Sequence, residues 1–190
     1  MLQFHSQFIK AMKALNQGGV IAYPTEGVWG LGCDPFDEQA VLDILDIKSR
    51  PVSKGLILVS GDIKSFDFLI YDLSSIQYQM LEASWPGHNT WLVPHKNRIP
   101  SSVHGKHDTV AIRVSNHPLI KEICDQFGGP IVSTSANPAG CPSAKTSIQV
   151  RRYFSRKIAN EEIALMPGRI GNAQSESTIR CLSSGKILRN

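Results

Sequence analysis

Lys48, Arg50 and Lys54 fall within seven residues, on a segment that Pro51 keeps from being the interior of a regular helix. The apolar run Leu56-Ile57-Leu58-Val59 follows at once and reads as a buried strand. The cations therefore sit at the mouth of a sheet, where a rigid scaffold can hold them against a phosphate or a carboxylate. A solvated basic loop has the same composition, so the segment alone leaves both readings open. Arg50 can grip phosphate oxygens with two parallel hydrogen bonds, whereas Lys48 and Lys54 act as point charges.

Two further polar loops each follow a short apolar strand. Tyr23-Pro24-Thr25-Glu26-Gly27-Val28-Trp29-Gly30-Leu31-Gly32-Cys33 has glycines that let backbone approach a ligand closely, and equally suits a tight turn. It is neither Gly-x-Gly-x-x-Gly nor a Walker A loop. Ser133-Thr134-Ser135-Ala136-Asn137, with Pro138 and Gly140 beyond, supplies hydroxyls and backbone N–H groups for an oxyanion or a nucleotide, or caps a following helix. Arg113 interrupts the apolar strand Thr109–Val114, and an arginine among buried residues requires a carboxylate, from the protein or from a bound ligand. His88, His95, His104 and His107 lie close in sequence but lack the carboxylates or cysteines of a metal site, so none is assigned. With no Gly-x-Ser-x-Gly elbow and no cysteine beside a base, covalent catalysis has no support.

The elements that must position these loops follow from the pattern of the chain. Phe4, Phe8, Met12 and Leu15 recur at helical spacing up to Gly18-Gly19; a second helix starts near Asp37 and runs toward Lys48. Helical patterns also cover 62–84, interrupted near Tyr71-Asp72, then 117–127 with Pro118 in its first turn, and 146–156. Strands are expected at Val20–Tyr23, Leu56–Val59, Thr90–Val93, Thr109–Val114 and Pro130–Val132, with short ones near 162–166, 177–182 and 186–189. The trio Trp29, Trp85 and Trp91 reads as core or pocket wall. This alternation predicts a single α/β domain over residues 1–190 with a mixed parallel and antiparallel sheet and flanking helices.

At 190 residues and 42% hydrophobic composition the chain can bury a core without staples. It has no apolar run near the roughly 20 residues a membrane span needs, and its N-terminus lacks the pattern of a secretory signal. Four scattered cysteines, Cys33, Cys124, Cys141 and Cys181, fit reduced thiols and a cytoplasmic location. Residues 145–190 carry nine Lys/Arg against three Asp/Glu, while 1–144 carry eleven against thirteen. Arg151, Arg152, Arg156 and Lys157 are the densest part of that excess, which suits a nucleic-acid surface and a solvated helix face alike.

In order along the chain, the polar loops resemble the YrdC/Sua5 family of threonylcarbamoyl-AMP synthases. Tyr23 to Leu31 resembles its Y-P-T-[DE]-T-x-[YFW]-G-L, and Lys48-Ser49-Arg50-Pro51 with Lys54 its K-x-R-P-x-x-[KN]. Trp85-Pro86-Gly87 with Thr90 is similar to W-P-G-P-x-T, and Thr109 to Arg113 with Pro118 to the arginine strand and its sequel. Ser133–Asn137 matches S-T-S-A-N, Ser177-Thr178-Ile179 matches S-T-[IV], and Ile187-Leu188-Arg189 matches I-L-R. Departures are Gly27 where Thr is common, His88-Asn89 in place of Pro-x, and Asn190 after Arg189 in place of Pro-Gly. The length resembles the short bacterial form.

The resemblance implies a twisted mixed sheet lining a large concave basic cavity. It implies a nucleotidyltransferase that joins L-threonine, bicarbonate and ATP into threonylcarbamoyl-AMP and pyrophosphate, for the N6-threonylcarbamoyladenosine of tRNAs that read codons beginning with A. By similarity Arg50, Lys54, Thr109, Ser135, Ser143 and Arg189 contact ATP, with Lys48 and Asn137 completing the catalytic set. Thr25, Arg113, Ser133 and Ser177 hold threonine, Arg113 through its carboxylate. Mg2+ arrives with ATP and has no dedicated protein cage. Implied partners are the TsaD–TsaB–TsaE system and, as an open possibility, tRNA itself. Glu26 and His88 receive no role.

Overall fold

A computed structural model describes residues 2–173 and 175–189, and the side chains from residue 5 onward. Among the described residues nine strands form one sheet: β1 (Val20–Pro24), β2 (Trp29–Gly32), β3 (Ile57–Ser60), β4 (Asn89–Pro94), β5 (Thr109–Val114), β6 (Ile131–Ser135), β7 (Ile163–Leu165), β8 (Thr178–Cys181) and β9 (Ile187–Arg189). Their order is β7-β1-β2-β6-β3-β5-β4-β8-β9. The pairs β1–β7, β3–β5 and β4–β8 are parallel and the other five antiparallel, so the sheet is mixed as expected.

Alternation along the strands divides the core. Val20, Ala22, Leu31, Leu58, Ile112 and Val132 face one way and pack with Val41, Ile44 and Leu45 of the Glu38–Ile47 helix. That helix begins where Asp37 Oδ1 accepts a hydrogen bond from the Ala40 N–H at 3.1 Å, satisfying a donor the first turn leaves unpaired. Ile21, Tyr23, Val59 and Ile131 face the other way. They meet Ala11, Met12 and Leu15 of the Leu2–Asn16 helix, and Ile120, Ile123 and Cys124 of the Pro118–Phe127 helix. This second helix pair covers only part of its face. The uncovered part, over β3, β4, β5 and β6, is where a cavity opens.

Several local expectations change. The segment Tyr23–Cys33, read as a polar loop, is a β1–β2 hairpin. Its alternation was hidden because two positions on one face are Gly30 and Gly32. A Cβ at Gly32 would lie 2.6 Å from the Val132 carbonyl and 2.8 Å from the Tyr23 ring, so this glycine makes room for protein, not ligand. At Gly27 a Cβ would lie 2.0 Å from the Ser175 carbonyl, and the same holds there. The 62–84 pattern resolves into a 3-10 turn at Ile63–Phe66 and helices at Asp67–Ile70 and Ser75–Glu82. The 146–156 helix breaks at Phe154 into Ser147–Tyr153 and Ser155–Ala159. A short helix, Ser101–His104, lies inside the span read as the β4–β5 loop. The side chain of Phe4, counted in the first helical pattern, lies outside the described residues. Among the described residues no helix is long and apolar enough to cross a membrane, and Cys33, Cys124, Cys141 and Cys181 are free thiols.

Candidate active site

The uncovered part of the sheet is a cavity of about 380 Å³, within the range of roughly 300–1,000 Å³ common for small-molecule sites. Register builds its floor. Ser133 on β6, Ile57 on β3, Ala111 on β5 and Leu92 on β4 are successive cross-strand partners and all line the cavity. Thr109 and Arg113 share that face of β5 with Ala111, about 13 Å apart along the strand. Nine of the twelve residues singled out by resemblance line this one space: Thr25, Arg50, Lys54, Thr109, Arg113, Ser133, Ser135, Ser177 and Arg189.

Arg113 is nearly out of water, and so is Glu26, with side chains 9% exposed in both. They form an ion pair, so the buried arginine has a carboxylate from the protein itself. Glu26 Oε1 also accepts hydrogen bonds from Ser115 Oγ at 2.8 Å and the Asn116 N–H at 3.2 Å. Burial alone would raise its pKa, but Arg113 and these donors outweigh burial and hold it below the usual carboxylate range. The Trp85-Pro86-Gly87 turn supplies the other restraint. Arg113 Nε donates to the Gly87 carbonyl at 3.1 Å, and the Gly87 N–H donates to Val114 O at 2.8 Å. Nearby, the hydroxyls of Thr90 and Ser177 pair at 2.7 Å, and Thr25 Oγ1 donates to Val28 O at 2.8 Å, closing the hairpin turn.

The cationic loop is split in its duties. Lys48, buried at 6% exposure, does not line the cavity. Its ammonium donates to the Ser135 carbonyl, to Asn137 O at 2.9 Å and to Asn137 Oδ1 at 3.3 Å. It therefore fastens the turn after β6 to the end of the Glu38–Ile47 helix. Burial, and then the charge of Arg50, bring its pKa down to about 8. Half-buried Asn137 also donates through Nδ2 to Cys141 O at 2.6 Å, so its amide is taken up within its own turn. Arg50 lines the cavity with one edge held by the Gly55 carbonyl, from Nη2 at 2.9 Å and Nε at 3.2 Å. Lys54 is exposed at the mouth, on the 3-10 turn that follows Pro51.

Ser143, the third of the twelve that does not line the cavity, donates to Glu176 Oε1 at 2.7 Å. Glu176 does line it, together with His88, His104 and His107, and these four were not read as site residues from sequence. His104 stacks on His95 with ring centroids 3.8 Å apart. In the sequence the histidines stood out for possible metal-ligand spacing, and His88 also as a departure from the family motif. Glu176 could have been found through its neighbour Ser177. Among the described residues no group of three or more His, Cys, Asp or Glu side chains is arranged to hold a metal ion.

A family model described as Telomere recombination, for Sua5, YciO and YrdC proteins, matches residues 13–190. The chain belongs to the Sua5/YciO/YrdC family. Among relatives of this Sua5/YciO/YrdC chain is a threonylcarbamoyl-AMP synthase of Saccharophagus degradans, 57% identical over 180 residues that cover 95% of this chain and 92% of that one. Another of the same name, from Pseudomonas aeruginosa strain UCBPP-PA14, is 50% identical over 179 residues, 94% of each chain. The crystal structure of P. abyssi Sua5 complexed with L-threonine superposes with a TM-score of 0.84 at 29% identity. It covers 96% of this chain, which spans about half, 52%, of that protein.

Proposed function

We propose that this protein is an L-threonylcarbamoyladenylate synthase, a nucleotidyltransferase that uses L-threonine, bicarbonate and ATP. The observation that carries the reading is the convergence of Arg50, Lys54, Arg113 and Arg189 with the hydroxyl residues Thr25, Thr109, Ser133, Ser135 and Ser177 on one cavity. Relatives at 50–57% identity bear that name, and a related fold is known with L-threonine.

The chemistry explains the residue types. The amine of threonine and bicarbonate give a carbamate with loss of water, and a carbamate oxygen then attacks the α-phosphorus of ATP and expels pyrophosphate. Anionic reactants must be crowded together, so catalysis is positioning and charge stabilisation by fixed donors. Thr25, Ser133, Ser177 and Arg113 hold threonine, the Arg113 guanidinium facing the amino-acid carboxylate while Glu26 fixes it from behind. Arg50, Lys54, Thr109, Ser135 and Arg189 take the nucleotide. Lys48 and Asn137 act on the turn that carries Ser135, so their role is to shape the phosphate subsite. Mg2+ enters as part of the MgATP substrate and shields its triphosphate. The reaction is cytoplasmic, serves tRNA modification, and hands its labile adenylate to a TsaD–TsaB–TsaE system.

Pyrophosphate release with MgATP and bicarbonate, with L-threonine present or omitted, tests the reading. Release that needs both threonine and bicarbonate is expected. Release without threonine would indicate a carbamoyl-adenylate chemistry instead, and no release from folded protein would overturn the enzyme assignment.

A further inference from the structure

Arg189 and Ser143 are two residues that similarity assigns to the nucleotide, and one carboxylate joins them. Arg189 Nη1 lies 2.8 Å from Glu176 Oε2, and Ser143 Oγ donates to Glu176 Oε1 at 2.7 Å. Arg189 also donates through Nη2 to the Ser177 carbonyl at 3.0 Å. Glu176 belongs to the cavity lining, beside Arg50, and its side chain is 34% exposed, that of Arg189 39%. Burial and then Arg189 lower the pKa of Arg50, and Glu176 opposes that shift; Glu176 acts on Lys48 in the same sense. One carboxylate thus offsets the charge of Arg189, of Arg50 on the cavity wall and of Lys48 behind it.

A carboxylate and a phosphoryl group present the same thing to these donors: acceptor-only anionic oxygens that match an arginine fork and a hydroxyl. We propose that Glu176 is a resident counter-ion of the phosphate subsite, filling in the free protein the donor set that a phosphoryl oxygen of ATP or pyrophosphate takes on binding. The identity of that anion rests on the synthase reading; the occupied donor set does not. An ion pair this open to water is weak enough to be exchanged. The reaction leaves two anions in the cavity, and a competing carboxylate returns to Arg189 as pyrophosphate departs. Affinity is given up for release, which suits an enzyme whose product has to leave.

The test is Glu176→Gln in the full chain, which keeps the size of the side chain and an acceptor for Ser143 but removes the charge. Calorimetric titration at low salt is expected to show pyrophosphate and MgATP bound about fivefold more tightly than by wild type. Glu176→Asp, which restores the charge, is expected to return affinity toward the wild-type value. If Glu176 merely holds Arg189 in place, Glu176→Gln will bind both ligands more weakly; that result, or unchanged affinity, overturns the proposal. Unfolding midpoints equal to wild type establish that each variant is folded. Should wild type release no pyrophosphate from ATP, the synthase reading fails, while the pyrophosphate titration still decides the role of Glu176.

Discussion

The cavity holds two arginine–carboxylate pairs that look alike in a contact map and differ in everything physical. On the central strand β5, Arg113 meets Glu26 with about a tenth of each side chain exposed, and further donors from Ser115, Asn116 and a carbonyl from Gly87 complete the set. On the edge strand β9, Arg189 meets Glu176 with more than a third of each exposed. The first pair is desolvated, so removing either partner strands a buried charge. The second stays in contact with water and can trade partners cheaply. A site that must hold an amino acid in one pose, yet bind and release polyphosphate, needs one pair of each kind.

Breaking the floor pair should have the largest effect. Glu26→Ala is expected to cost about 3–5 kcal/mol of stability in urea unfolding, because Arg113 is left buried without its counter-charge. Threonine affinity should fall with it while ATP binding is largely kept, and Glu26→Gln, which preserves an acceptor for Ser115, should recover part of the stability. The pH dependence has a definite sign. Because the pKa of Glu26 is depressed in the folded protein, its contribution is present above the unfolded carboxylate range and is lost as pH falls through the lowered value. An acid unfolding midpoint that is the same in Glu26→Gln as in wild type would contradict this. Arg113→Ala is expected to abolish threonine binding; unaltered threonine affinity would remove Arg113 from the site.

A double-mutant cycle sharpens the contrast. Coupling between Glu26 and Arg113 should reach about 2–3 kcal/mol, against less than about 1 kcal/mol for Glu176 and Arg189, and only the latter should shrink as salt is raised. Equal couplings would mean that exposure is not what separates the pairs.

Lys48 gives a subtler effect between the two. Its pKa near 8 lies below that of an unfolded lysine, so the unfolded chain holds more protons from pH 8 to about 10.5 and this group adds stability as pH rises through that window. The ammonium that ties down the Ser135 turn is nevertheless lost over the same range. Turnover should therefore show an alkaline limb near pH 8 with no loss of global stability. In Lys48→Arg that limb should move up by more than one unit, which a pH–rate profile will reveal. A limb that stays in place assigns it to another group.

Much of this was legible in the chain because short-range physics decides it. Apolar runs marked β3, β5 and β6, and Asp37 and Pro118 marked helix starts. The polar loops at their ends, together with the resemblance they carry, marked nine residues that the fold gathers around one cavity. What stayed hidden are the choices made by neighbours distant in sequence. Strand β2 escaped notice because Gly30 and Gly32 have no side chains to alternate, and the space they leave is filled by Tyr23 from the adjacent strand and the Val132 carbonyl. Arg113 required a carboxylate on desolvation grounds alone, yet only strand packing could place Glu26, 87 residues earlier in the numbering, against it.

The sequence by itself determined the class of the fold and the chemistry of its loops, since hydrophobic period, turn residues and charge type are local properties. The tertiary structure decided which way each charge faces: Lys48 into the protein, Arg50 along the wall, Arg113 onto Glu26, Arg189 onto Glu176. Burial and partner distance set that direction, and both are properties of the packed sheet that no window of the chain contains.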